Sequence, residues 1–178
     1  MIIEGRKKNP SHCFCPAGLE LLQRFAILYT PIVLLDPGLL DPLVDLRVVA
    51  FLYTLLAEIP DDFFKYNRMI VSINLSYNRI THLPIGILNG LSGLTEFHIE
   101  GNSLDRLDPG LFYDTPSLRN FYLNNNMWAG KFEFPELLLG RMSNMDEISI
   151  LGNGAEVIPS LENCTATRLL RLQVHSTF

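Results

Sequence analysis

Residues 70–93, IVSINLSYNRITHLPIGILNGLSG, are followed by residues 94–117, LTEFHIEGNSLDRLDPGLFYDTPS, with the same residue types in the same places. Both stretches carry apolar residues at their first, fourth and sixth positions and asparagine at their ninth position. The fourth to sixth positions alternate apolar and polar, as in a short strand with one buried face. The chain therefore contains a 24-residue internal repeat. One copy cannot bury its own apolar edges, so the copies must stack.

Asparagine follows the alternating segment where the chain must turn sharply, at Asn78 in one copy and Asn102 in the next. An amide side chain there can form hydrogen bonds with backbone groups that a buried turn would leave unpaired. Later copies carry asparagine at the same place. The repeat thus predicts a structural asparagine ladder made of Asn78, Asn102, Asn126 and Asn153.

The period continues in both directions, with units that start near residues 22, 46, 70, 94, 118, 145 and 169. One step, from 118 to 145, is 27 residues long. We expect residues 22–178 to form the repeat domain and residues 1–21 a leader or cap. Thr30 and Thr54 replace the asparagine in the first two units. Because residues 25–35 and 48–56 show no clean alternation of apolar and polar residues, residues 17–56 could instead form helices that cap the repeats.

The pattern LxxLxLxxNxL at the head of each unit resembles the leucine-rich-repeat family, in its typical 24-residue class. The resemblance implies an α/β solenoid: a horseshoe with short parallel strands on its concave face and irregular, 3-10 or short helical segments on its convex face. It also implies protein recognition, because such solenoids bind partners on the extended concave surface.

Outward positions of the predicted strands would line this concave face. Ser76 and Ser149 are among them, and the middle of the face carries aromatic, charged and amide groups suited to a protein interface. We predict a partner-binding surface made of Tyr77, Glu96, His98, Glu100, Tyr122 and Asn124. Tyrosine also recurs at the eighth position of three units, where it either forms a second contact ladder or packs locally: Tyr29, Tyr53 and Tyr77.

No catalytic motif is recognisable in the sequence. Gly152-Asn153-Gly154 falls on the turn of the repeat itself and lacks the other residues of a phosphate-binding loop. His12, Cys13 and Cys15 are the densest candidate metal ligands, but zinc needs about four. Ordinary thiols, the remnant of a cysteine cap and a partial disulfide cap all stay open for these cysteines. We predict no enzyme, no metal and no cofactor.

The composition narrows the class of partner. A net charge of −5 argues against a phosphate-binding surface, so nucleic acid is not expected. No apolar run is long enough to insert into a membrane. The compartment stays unknown, and the sequons at Asn74 and Asn163 would matter only in a secreted protein. A glycan on Asn74 would stand in the concave face, which favours a cytoplasmic chain over an extracellular fragment. The last coil, with Leu169, Leu172 and Val174, has no polar cap, which predicts possible self-association.

The sequence thus indicates a non-catalytic module that binds a protein or peptide. Two alternatives remain: a fragment of a leucine-rich-repeat receptor ectodomain, and the substrate-recruiting repeat region of a larger enzyme such as a kinase or ligase. Fold alone does not choose among them.

Overall fold

The computed structural model describes residues 2–4, 19–104, 106–126, 143–153 and 171–173. In these residues the chain forms eight short strands and no helix. The strands are β1 (Ile2–Glu4), β2 (Arg24–Leu28), β3 (Val48–Leu52), β4 (Ser72–Asn74), β5 (Glu96–His98), β6 (Asn120–Tyr122), β7 (Glu147–Ser149) and β8 (Arg171–Gln173).

The eight described strands form one parallel sheet in chain order. Phe97 of β5 pairs with Ile73 on one side and Phe121 on the other, so neighbouring strands are offset by one 24-residue unit. Between β6 and β7 the offset is 27 residues, with Phe121 opposite Ile148. A chain that returns to the next strand position after every coil is a solenoid. The predicted fold class is confirmed, with turns rather than helices in the described segments behind the sheet.

The first two units form strands, so the helical alternative for residues 17–56 is wrong within residues 19–56. Phe25 and Ile27 of β2 are buried and face inward, as Val49 and Phe51 do in β3. Their alternation is hidden in the sequence because outward neighbours such as Leu28 are also apolar. Burial of one face, rather than polarity of the other, sets the register here.

Strand β1 lies within residues 1–21, the expected leader or cap. Ile2 pairs with Ala26, again at an offset of 24 residues. Cys13 and Cys15 lie outside the described residues, as do Leu169, Val174 and the second sequon at Asn163. The expectations attached to them therefore remain predictions.

The core runs along the solenoid between the sheet and the segments behind it. Large aromatic side chains fill its middle: the Phe97 and Phe121 rings stack with centroids 5.7 Å apart, and the Phe112 ring meets Phe121 edge-on at 5.0 Å. Fully burying one such side chain stabilises the fold by roughly 1.5 to 3 kcal/mol. Stacked coils thus share a continuous core that no single unit could form.

The ladder asparagines tie each coil to its neighbour. The Asn102 amide nitrogen donates to the carbonyl oxygens of Leu75 (3.0 Å) and Ile99 (3.1 Å), which belong to successive units. Its amide oxygen accepts from the backbone N–H of Ile80 at 3.0 Å. Corresponding bonds between units are made by Asn78, Asn126 and Asn153.

No helix long and apolar enough to cross a membrane occurs in the described parts of the chain.

Candidate functional site

Three of the predicted partner-binding residues, Glu96, His98 and Tyr122, lie in strands and project from the outer face of the sheet, opposite the core. Parallel pairing places Glu96 of β5 beside Asn120 of β6, and His98 beside Tyr122. The next pairing step places Glu147 of β7 beside Asn120. Because strands lie about 4.8 Å apart, these side chains can contact one another across the sheet.

His98 and Tyr122 form the centre of this surface. Their rings stack with centroids 4.6 Å apart and planes inclined by 20°. The Tyr122 hydroxyl donates to the Glu147 carboxylate at 3.0 Å. Burial raises the pKa of Tyr122, and its hydrogen bond to Glu147 adds to that effect.

Glu147 was not among the predicted site residues, although its position in the repeat could have identified it. It stands two positions after Met145, the start of its unit, as Glu96 stands two positions after Leu94. The two carboxylates therefore occupy the same outward column of the repeat. The 27-residue step before Met145 obscures this correspondence.

Glu100 adds a third carboxylate to the surface. Its Oε2 accepts from the Ser76 hydroxyl at 3.0 Å and lies 3.5 Å from His98 Nδ1. The hydrogen bond from His98 holds the pKa of Glu100 below its usual range, although partial burial opposes this. Glu100 is therefore ionised at neutral pH.

We call Glu96, His98, Glu100, Tyr122 and Glu147 the acidic patch. Glu96 accepts from the Ser72 hydroxyl at 3.2 Å, and Glu147 lies 3.6 Å from Arg171 at the edge of the patch. All five patch residues are partly exposed. Three carboxylates around two stacked rings give the patch a negative potential.

Asn124 takes part in holding the next unit. Its side-chain oxygen accepts from the Ser149 hydroxyl and from the backbone N–H of Leu151, both at 2.7 Å. Ser149 and Ser76 stand at outward positions, yet each is only 1% exposed. The expectation that these serines line the binding face is wrong, because neighbouring side chains cover them.

Tyr77 lies next to the acidic patch but does not belong to it, since it is part of a row of tyrosines at the end of the strands. We call Tyr29, Tyr53 and Tyr77 the tyrosine strip. Ring centroids are 4.9 Å apart for the first pair and 4.4 Å for the second, with planes within 9° and 4° of parallel. The rings thus pack on one another and still leave the strip exposed, with 65%, 45% and 43% of each residue accessible.

The backbone of the strip is unusual. Tyr29, Tyr53 and Tyr77 have φ angles of 52°, 52° and 59°, in the left-handed region that bulky residues rarely adopt. The same position in later units holds Gly101, Asn125 and Gly152, also with positive φ. The turn of the repeat therefore imposes this angle whichever residue occupies the position.

Among the described residues, no group of three or more His, Cys, Asp or Glu side chains is placed to hold a metal ion. The side-chain chemistry of the outer face is that of hydrogen bonding, charge and aromatic contact.

Two comparisons with known proteins agree with this architecture. The family model described as leucine rich repeat matches residues 68–127. The chain is also 26% identical over 104 residues to Podocan of Mus musculus, a match that covers 58% of this chain and 16% of Podocan. The chain thus spans about a sixth of the length of that relative. These matches and the 24-residue strand register support a leucine-rich-repeat protein.

Proposed function

We propose that this chain is a non-catalytic protein-binding module whose partner contacts the acidic patch. Leucine-rich repeats are interaction modules, and the sheet supplies a rigid platform made by many backbone hydrogen bonds. The observation that carries the proposal is the stacked pair of His98 and Tyr122, surrounded by three carboxylates. Such a pair gives apolar area with polar tips, as at many interface hot spots.

The charge of the patch indicates the chemistry of the partner. A Lys or Arg side chain of the partner can bind carboxylates through charge-assisted hydrogen bonds and can lie against the Tyr122 ring. Complementary charge also accelerates encounter and discriminates against acidic competitors. The partner surface is therefore basic where it meets the patch.

The test compares the proteins retained by the immobilised chain with those retained by two double variants. His98→Ala with Tyr122→Ala removes the stacked pair of the patch. Lys65→Ala with Tyr66→Ala removes a matched cation and aromatic pair, 4.8 Å apart, in a turn behind the sheet. We expect a partner to be lost only with the first variant, provided that both variants melt as the parent does.

A gentler variant, Glu96→Gln with Glu147→Gln, keeps the shape of the patch and removes two charges. It should slow association with the same partner and reduce the dependence of binding on salt. Partner loss confined to the Lys65 and Tyr66 variant would place the interface behind the sheet and refute the proposal.

A further inference from the structure

We propose that the tyrosine strip binds an extended peptide segment of a partner protein, with apolar side chains along the rings and a basic side chain at Glu100. This inference rests on the proposed function as a protein-binding module and adds a second contact surface to it. The strip adjoins the acidic patch, because the Tyr77 N–H donates to the Glu100 carbonyl oxygen at 2.7 Å.

The turn itself does not require tyrosine. Gly101 and Gly152 make the same turn in other units, and glycine adopts positive φ without strain. A bulky residue at this angle is held there against its own preference. Tyrosine nevertheless occupies this position in three consecutive units. The turn does not need the tyrosine side chains, so we infer that they serve another purpose.

Those side chains form an exposed apolar surface. Exposed apolar groups that collect in one region mark an interaction site. Tyrosine adds hydroxyl groups, which can hydrogen bond the backbone of a bound segment.

The spacing of the strip suits an extended chain. Tyr29 and Glu100 belong to units three strands apart, a distance of about 14 Å along the sheet. An extended peptide advances about 3.3 Å per residue and directs every second side chain to the same side. A pattern of apolar-x-apolar-x-basic therefore spans the distance from the first ring to the carboxylate.

Charge favours a basic residue at the end of this pattern. The Glu100 carboxylate is ionised and partly exposed, and Glu96 lies two outward positions earlier in the same unit, with His98 between the two carboxylates. An acidic residue of the partner would be repelled there. The occupant we infer is thus a segment with alternating apolar residues followed by Lys or Arg.

The experiment selects binders of the full chain from a phage-displayed library of random short peptides. Enriched sequences should carry the apolar-x-apolar-x-basic pattern, and a selected peptide should lose binding when Glu replaces its basic residue. Selection of no peptide, or of peptides without this pattern, would overturn the inference. This part of the test uses the unaltered chain, so it does not depend on how any variant folds.

Variants then locate the bound peptide. Asparagine is a suitable replacement for the tyrosines, because Asn125 adopts nearly the same φ angle at the same position of its own unit. The double variant Tyr29→Asn with Tyr53→Asn should weaken peptide binding about tenfold or more. Tyr66→Asn, at a tyrosine that is 53% exposed behind the sheet, is the matched control and should have no effect.

The variant His98→Ala with Tyr122→Ala separates the two proposals. Loss of the selected peptides with this variant, and not with the strip variant, would refute the strip while leaving the acidic patch as the binding surface. Suppose instead that the selected peptides are lost with the strip variant only, and that His98→Ala with Tyr122→Ala loses no partner in the retention experiment. That result would support peptide binding at the tyrosine strip and refute partner binding at the acidic patch.

Discussion

At the scale of single residues, Gly101 shows how one turn limits substitution. Its φ is 62°, and a Cβ added there would lie 2.7 Å from the Tyr77 ring. We expect Gly101→Ala to destabilise the fold by about 1 to 3 kcal/mol, through backbone strain and the displaced ring. Gly93→Ala is the matched control, since its added Cβ would meet nothing closer than 3.9 Å. Urea unfolding of both variants gives the comparison, and equal stabilities would contradict the strain argument.

Substitution of Asn102 tests how much the asparagine ladder contributes to the stability of the fold. Asn102→Ala would leave the buried Ile80 N–H without its partner and would remove one of the two amide donors to each of the Leu75 and Ile99 carbonyl oxygens. We expect a loss of about 1 to 3 kcal/mol in the free energy of unfolding, because an unpaired buried backbone group is costly. Asn89→Ala, at an exposed position, should change little. A thermal melt in which both variants match the parent would show that the ladder bonds are dispensable.

Glu100 links stability to pH. Its pKa is lowered in the folded chain, so its ionised form stabilises the fold above the ordinary glutamate value, and this contribution disappears as pH falls through the lowered pKa. Glu100→Gln should therefore destabilise the chain by roughly 1 kcal/mol at neutral pH and much less in strong acid. Urea melts across the acid range measure the difference. A difference that stays constant with pH would assign the effect to packing rather than ionisation.

The repeat period can be read from the sequence, but the contacts that neighbouring units impose on single residues cannot. The sequence places asparagine in the turn after each strand, where backbone groups need hydrogen bonds, but it does not show the bond from the Ile80 N–H of the preceding unit to Asn102. The burial of Ser76 depends on the side chains of adjacent units, and a single repeat does not encode them. The stacking of the tyrosine strip likewise depends on side-chain rotamers in three successive coils.

At the scale of the strand, inward and outward positions differ less in burial than the alternation of apolar and polar residues suggests. Leu75 is 1% exposed, and Leu75→Ala should cost about 2 to 5 kcal/mol by leaving a cavity. Ser76→Ala should cost about 1 kcal/mol, because the hydroxyl is buried and hydrogen bonded to Glu100. The outward Asn120→Ala, at a partly exposed position, is the control. Urea melts in which Ser76→Ala destabilises the chain more than Leu75→Ala would contradict the assigned register.

Strands β2 and β3 show why the sequence pattern left open the alternative of capping helices for residues 17–56. Their outward residues include Leu28, Val48 and Leu52, so the sequence lacks the polar half of the alternation. Register with later units identified them as repeats, since Phe25 and Phe51 fall on the same positions as Phe97 and Ile99. Periodicity across units was thus more informative than periodicity within a strand.

At the scale of the whole molecule, each coil contacts mainly its neighbours, so one coil should be removable. Deletion of residues 70–93 would join Met69 to Leu94 and let Asn102 replace Asn78 in its bonds to Phe51 and Thr54. We expect a folded chain that unfolds cooperatively, with a denaturant m-value lower by roughly an eighth, in proportion to the residues removed.

Deletion of residues 70–92 provides the control for that experiment. It removes one residue fewer, which shifts the following strand by one position and exchanges its inward and outward sides. This chain should fail to fold. Circular dichroism and urea melts distinguish the outcomes, and similar behaviour of the two deletions would contradict strict register between coils.

The step between β6 and β7 is three residues longer than the others, yet Asn120 still pairs with Glu147 and Phe121 with Ile148. The pairing of these strands, and with it the placement of the acidic patch, is therefore kept when the connection between them is longer. A genetic insertion in that connection, such as an affinity tag or a small reporter domain, could be accommodated without moving the acidic patch. Variation in the length of this segment would give evolution, or a protein engineer, a way to add functions while the acidic patch stays unchanged.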